Sequence, residues 1–131
     1  DILFVNLQYG DCRRELAETK KNLGVEIFQD PEINPLADME DFFAQVTAMD
    51  LVITTSNTTA HTAGAQNVPV WIMLPHGAGL MWYWFLGRND SPWYSSARLF
   101  RGTDTDPTQP WWKDMVETVA AALRGQQNQT V

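Results

Sequence analysis

The sequence is poor in the residues that most often announce a function. It has one cysteine, Cys12, so no internal disulfide can form, and its two histidines, His61 and His76, lie far from it and from each other. That set makes no zinc spacing, and no metal site is expected. The lack of a disulfide framework fits a reducing compartment, so the cytoplasm is the expected location. Basic residues are scarce: nine Lys and Arg stand against sixteen Asp and Glu, a formal net charge of -7. This balance argues against a non-specific nucleic-acid binder and against docking on anionic lipid. Long apolar runs are missing too. Residues 68–74 and 80–86 are the longest, far short of the roughly 20 residues a membrane span needs. No basic segment followed by an apolar signal core is present. Neither a Walker loop nor a Gly-x-Ser-x-Gly elbow occurs, and no carboxylate pair stands out, so no catalytic residue can be named. The chain opens on Asp1 inside a strand-like run, without methionine. It is therefore expected to be a piece of a longer protein.

What is present is enough for a packed core. The chain has 131 residues, 44% of them hydrophobic, which suits one domain. A single domain over residues 1–125 is expected, with a flexible tail over 126–131. Residues 2–8 read as a buried strand ended by Tyr9-Gly10-Asp11, and residues 11–23 as a helix with Gly24 just past its end. Residues 25–28 read as a second strand. Asp38 should cap a helix reaching Met49, with Phe42, Phe43, Val46 and Met49 on one stripe. Residues 51–55 read as a strand, 56–66 as a helix, and 68–74, apolar throughout, as a parallel strand covered on both faces. These last two strands are expected side by side at the sheet's centre. Residues 97–100 should form a short strand, and 110–124 a closing helix with Pro110 near its start and Gly125 past its end. Strands alternating with helices predict an α/β domain with a mostly parallel sheet. In such sheets ligands bind beyond the carboxyl ends of the strands, here the loops 9–14, 29–38, 55–61 and 75–79.

The most informative stretch is 51–74, where a strand runs straight into a helix opening Ser56-Asn57-Thr58-Thr59. The first turn of a helix has free backbone N–H groups and the positive end of its dipole, and hydroxyls there make it an anion site of phosphate type. His61 lies one turn in and could reach the same anion. The plainer reading is a Ser/Thr-rich cap with a partly buried, hydrogen-bonded histidine. Arg13 and Arg14 could approach a phosphate or sit on a solvated helix face. Trp82, Tyr83, Trp84, Trp93 and Tyr94 could stack on a sugar or a neighbouring domain, or pack under long loops.

Seven blocks carry a family resemblance: Phe4-Val5-Asn6-Leu7-Gln8-Tyr9-Gly10-Asp11, residues 50–55, Asn57-Thr58-Thr59-Ala60-His61, Ala63-Gly64-Ala65, Val68-Pro69-Val70-Trp71, Ser91-Pro92-Trp93-Tyr94 and Arg98-Leu99-Phe100-Arg101. Together they resemble the C-terminal half of GT-B glycosyltransferases of the heptosyltransferase kind, a match that runs over residues 3–124. They are more similar still to the glycosyltransferase-like domain that follows tetratricopeptide repeats in bacterial proteins. The O-linked N-acetylglucosamine transferases are more distant. The resemblance implies a three-layer, Rossmann-like domain that binds the donor, a nucleotide sugar, with no further cofactor. It places the donor pyrophosphate at Ser56, Asn57, Thr58, Thr59 and His61. It sets the ribose near Glu15 and the base near Leu36 and Ala37. It implies an N-terminal GT-B half and tetratricopeptide repeats as partners within the full-length protein, and no sugar transfer by this chain alone.

Two positions depart from the pattern. Ser56 stands where related sequences often have Asp, and residues 76–85 lack an Asp-Trp-Arg-Trp-like run. The first departure favours an alternative, a degenerate GT-B-like domain that binds other proteins. A third, weaker reading is another nucleotide-sugar enzyme of GT-B shape, such as an epimerase.

Overall fold

A computed structural model describes residues 2–75, 80–102 and 112–127. The chain divides into two compact units, Asp1–Ala48 and Met49–Val131. The His76 to Gly79 part of one expected loop, Pro110, Trp111 and the tail from Asn128 onward lie outside the described residues.

In the first unit, strands β1 (Phe4–Val5) and β2 (Ile27–Phe28) pair in parallel around helix α1 (Arg13–Leu23), and helix α2 (Met39–Thr47) follows. The apolar run 2–8 predicts a longer, buried strand, but Ile2, Leu3 and Phe4 are exposed. The ladder ends at Asn6. Its N–H donates to Phe28 O at 2.8 Å, and its side-chain Oδ1 accepts from Gln8 N at 3.1 Å. That local turn competes with further strand pairing. The first helix starts at Arg13 rather than Asp11, because the Asp11 carboxylate accepts from the Arg13 N–H at 3.2 Å. It ends where Gly24 takes φ 68°, a left-handed turn that glycine adopts without strain, and returns its N–H to Lys20 O. Asp38 caps α2 as expected, accepting from Glu40 N at 2.8 Å and Asp41 N at 3.3 Å. Its buried stripe is narrower than the spacing predicts. Phe42 and Val46 are buried, Phe43 is exposed, and Met49 lies past the helix end.

The second unit is built on a parallel sheet of β3 (Val52–Thr55), β4 (Val70–Leu74) and β5 (Ala97–Arg101), in that order. Helix α3 (Thr58–Ala65) joins β3 to β4, and helix α4 (Lys113–Gln127) follows β5. The expected parallel neighbours, β3 and β4, are adjacent, with Val52 opposite Val70 and Thr55 opposite Met73. Only β4 is central, however; β3 is an edge strand of the described sheet. Burial follows that order: Ile53 and Thr55 are exposed, whereas Val70, Trp71, Ile72 and Leu74 are all buried. Trp71 and Phe100 join Met115 and Val119 of α4 in one apolar cluster. Alternation along the strand sends Val70, Ile72 and Leu74 to the other face.

Ala60, Ala63 and Gly64 are buried in α3, and their small size lets that helix lie close on β3 and β4. The helix closes in a Schellman turn with Asn67 at φ 57°: Asn67 N donates to Gly64 O and Val68 N to Ala63 O. The last helix does not stop at Gly125 but runs through it to Gln127; one glycine weakens a helix by only about 1 kcal/mol and does not have to end it. Both sheets are parallel and interleaved with helices, a mixed α/β architecture compatible with a Rossmann-like fold. Among the described residues no helix is long and apolar enough to cross a membrane.

Candidate functional site

The second unit brings Ser56, Asn57, Thr58, Thr59 and His61 together where β3 hands over to α3. The capping residue is Asn57, not Ser56. Its Oδ1 accepts from Ala60 N at 3.1 Å and from the Thr54 hydroxyl at 3.1 Å. Asn57 is thereby committed to holding the turn. The backbone N–H groups of Thr58 and Thr59 find no acceptor among the described residues. They are the orphan donors every helix start leaves, aimed along the positive end of the dipole. Thr58 is exposed and Thr59 half-buried, so hydroxyl and N–H donors share one accessible turn. That turn suits an anion with several acceptor oxygens, such as a diphosphate.

Ser56 faces a different partner. Its Oγ accepts the indole N–H of Trp84 at 2.8 Å. Trp84 belongs to a short 3-10 turn (Trp82–Trp84) and is fully buried. Its ring lies nearly parallel to the His61 imidazole, 5.2 Å away at 14°. Tyr83 and Tyr94 meet the same imidazole edge-on at 5.4 Å and 5.8 Å. His61 Nδ1 pairs with the Tyr94 hydroxyl at 2.9 Å. Burial pushes the His61 pKa down, so the ring is neutral near pH 7. The structure therefore places His61, half-buried, among three aromatic rings, with Nδ1 engaged and without the positive charge that would draw an anion.

The aromatic segment beyond this cluster is held by its backbone. The Arg101 guanidinium donates to Trp84 O at 2.8 Å, Phe85 O at 2.7 Å and Arg88 O at 3.0 Å. Trp93 Nε1 donates to Tyr83 O at 2.9 Å. Phe85 sits at φ 53° and ψ 170°, a conformation that side-chain-bearing residues rarely adopt. Leu80, Met81, Trp82, Phe85 and Leu86 line an apolar cavity of about 500 Å³. Trp82 is 76% exposed and Leu86 77%. The sequence flagged these aromatics without assigning them. The hold of Arg101 on this segment and the Ser56–Trp84 pair were missed, because each acts on residues far away along the chain.

The remaining candidates lie in the first unit. Glu15 is exposed in the first turn of α1. Leu36, 74% exposed, and Ala37 occupy a turn closed by Asn34, whose Oδ1 accepts from Leu36 N and whose carbonyl accepts from Ala37 N. Arg13 is engaged by Asp11 at 2.6 Å and 2.8 Å, which holds the Asp11 carboxyl at about 2. Arg14 pairs with Glu18 along the exposed face of α1. Cys12 is buried at the start of the same helix. Among the described residues no group of three His, Cys, Asp or Glu side chains could hold a metal ion.

No family model matches the chain, and no solved structure matches it. The chain is similar to the protein FlbA of Caulobacter vibrioides, at 41% identity over 125 residues. The match covers 94% of this chain but 19% of FlbA, so the chain spans about a fifth of the relative's length.

Proposed function

We propose that the chain is the donor-binding half of a GT-B glycosyltransferase and that it binds the diphosphate of a nucleotide sugar at the first turn of α3. The observation that carries this reading is the pair of N–H groups at Thr58 and Thr59 that find no acceptor among the described residues, flanked by hydroxyls and capped from within by Asn57. A helix start between two parallel strands is the place where α/β sheets receive phosphates. Recognition rests on neutral donors and the helix dipole, since His61 is uncharged near pH 7. In the full-length protein this half would follow tetratricopeptide repeats and face an N-terminal Rossmann-like half that supplies the acceptor and its base. The helix start would then stabilise the leaving diphosphate as charge develops. The chain alone holds a donor but orients no nucleophile, and orientation is worth about 7–11 kcal/mol of barrier. It is therefore inactive in transfer.

Calorimetry with UDP, GDP, ADP and CDP tests the reading. At least one should bind, and the Thr58→Ala, Thr59→Ala double variant should bind it more weakly. Unchanged affinity in the double variant would remove the assigned site. Multiple-turnover sugar transfer by this chain alone would remove the half-site reading.

A second reading, a GT-B-like domain kept for protein binding, is favoured by the exposed apolar side chains of Met81, Trp82, Phe85, Leu86 and Trp93. Binding none of the four nucleotides is its signature.

A further inference from the structure

Trp84 is fully buried although its neighbours Trp82 and Phe85 are exposed. A buried indole needs an acceptor for its N–H, and the indole nitrogen only donates. Ser56 Oγ meets that need at 2.8 Å, across 28 residues of sequence. The same ring lies flat against His61, while Tyr83 and Tyr94 close other sides edge-on. We propose that Ser56 is a positioning residue: it holds the Trp84 ring against His61 and so keeps one face of the half-buried imidazole covered from water. The inference refines the nucleotide-binding reading, because a shielded His61 meets a diphosphate as a neutral group and not as an added positive charge.

The direction of the hydrogen bond is fixed by chemistry, so Ser56 has one role toward Trp84, that of acceptor. Without it the indole N–H is left unsatisfied in a buried place, and the ring is driven to turn toward water. Among the described residues, the groups that face His61 are the Tyr94 hydroxyl on Nδ1 and the rings of Tyr83, Trp84 and Tyr94, and none of these is a carboxylate or a cation. Within residues 51–65 His61 is the sole side chain that titrates in the ordinary range. Access of water is then the variable that sets its charge, and burial already holds its pKa below the usual 6.5.

The test is a proton NMR titration of the imidazole resonances in the full chain, with His76→Gln separating the two histidines. Ser56→Ala removes the acceptor, and Trp84→Phe removes the donor and leaves a smaller ring that no hydrogen bond holds against His61. Ser56→Thr keeps the hydroxyl. His61 should titrate below 6.5 in the wild type and in Ser56→Thr, and closer to 6.5 in Ser56→Ala and Trp84→Phe. Trp84→Phe carries the comparison if Ser56→Ala does not fold. Wild-type midpoints in both Ser56→Ala and Trp84→Phe would overturn the inference, as would a shift in Ser56→Thr as large as that in Ser56→Ala. UDP added to the same samples addresses the nucleotide separately. Absence of binding by the wild type would remove UDP as the ligand, and the His61 midpoints would still decide the role of Ser56.

Discussion

Replacing Gly64 by alanine should destabilise the second unit, against the helix propensities of the two residues. In an exposed helix the change gains about 0.5–1 kcal/mol, because glycine loses more backbone freedom on folding. Here the ring of Tyr94 lies on the glycine. An added Cβ would collide with Tyr94 Cγ and would sit 2.7 Å and 2.8 Å from Cδ2 and Cδ1, where carbon atoms prefer about 3.5–4.0 Å. Cγ lies on the axis about which the ring turns, so flipping the ring cannot clear it and the whole side chain must back away. Overpacking of this kind costs about 1–3 kcal/mol. Retreat of the ring also breaks the Tyr94–His61 hydrogen bond, worth about 0.5–1.5 kcal/mol net. The balance is a loss of about 1–3 kcal/mol. All six tryptophans lie between Trp71 and Trp112, so urea denaturation followed by tryptophan fluorescence reports directly on this unit. Tyr94→Ala in the same chain removes the obstacle, and Gly64→Ala should then stabilise. A single Gly64→Ala variant as stable as wild type would refute the contact between ring and glycine.

Asn57→Ala removes the acceptor for Ala60 N and Thr54 Oγ1, and should cost about 1 kcal/mol in the same denaturation assay, with Asn57→Asp restoring most of it. Thr58→Ala with Thr59→Ala should weaken nucleoside-diphosphate binding by about 1–3 kcal/mol in calorimetry while leaving the fold intact. Arg101→Met strips three carbonyls of a charged donor and should lower stability by about 2 kcal/mol or more, with faster amide exchange in residues 82–88. The pH dependence has a definite sign. His61 has a lowered pKa in the fold, so between that value and the unfolded value near 6.5 the unfolded chain binds more protons. Stability is full above pH 6.5 and is lost as the pH falls through the folded pKa; His61→Gln should flatten this part of the profile.

The alternation of strands and helices was legible because it is written locally. Residues 68–74 are apolar at every position, and Val70–Leu74 is the central strand. Gly24 and Asp38 marked helix ends through their own backbone and side-chain chemistry. Strand length in the first unit was not legible, since the Asn6 side chain ends pairing inside a run that looks continuously extended. The choice between Ser56 and Asn57 as cap was also hidden. Both are good N-caps, and Ser56 instead supplies the acceptor that the buried indole of Trp84 requires from 28 residues away. For His61 the sequence left open a ligand-facing group or a partly buried, hydrogen-bonded one; the fold supplies the second, through Tyr83, Trp84 and Tyr94, which are distant in sequence. The helix start at Asn57 was legible from its Ser/Thr pattern, while the aromatic rings around His61 came together only in the fold.

Whether a nucleoside diphosphate sits on the first turn of α3 can be read residue by residue. Amide NMR of the ¹⁵N-labelled chain, titrated in turn with UDP, GDP, ADP and CDP, gives that reading. Binding at the proposed site should produce saturable shifts centred on the N–H groups of Thr58 and Thr59, largest for one base and weakened by added salt. Shifts centred instead on residues 81–86, or none with any of the four nucleotides, would contradict it.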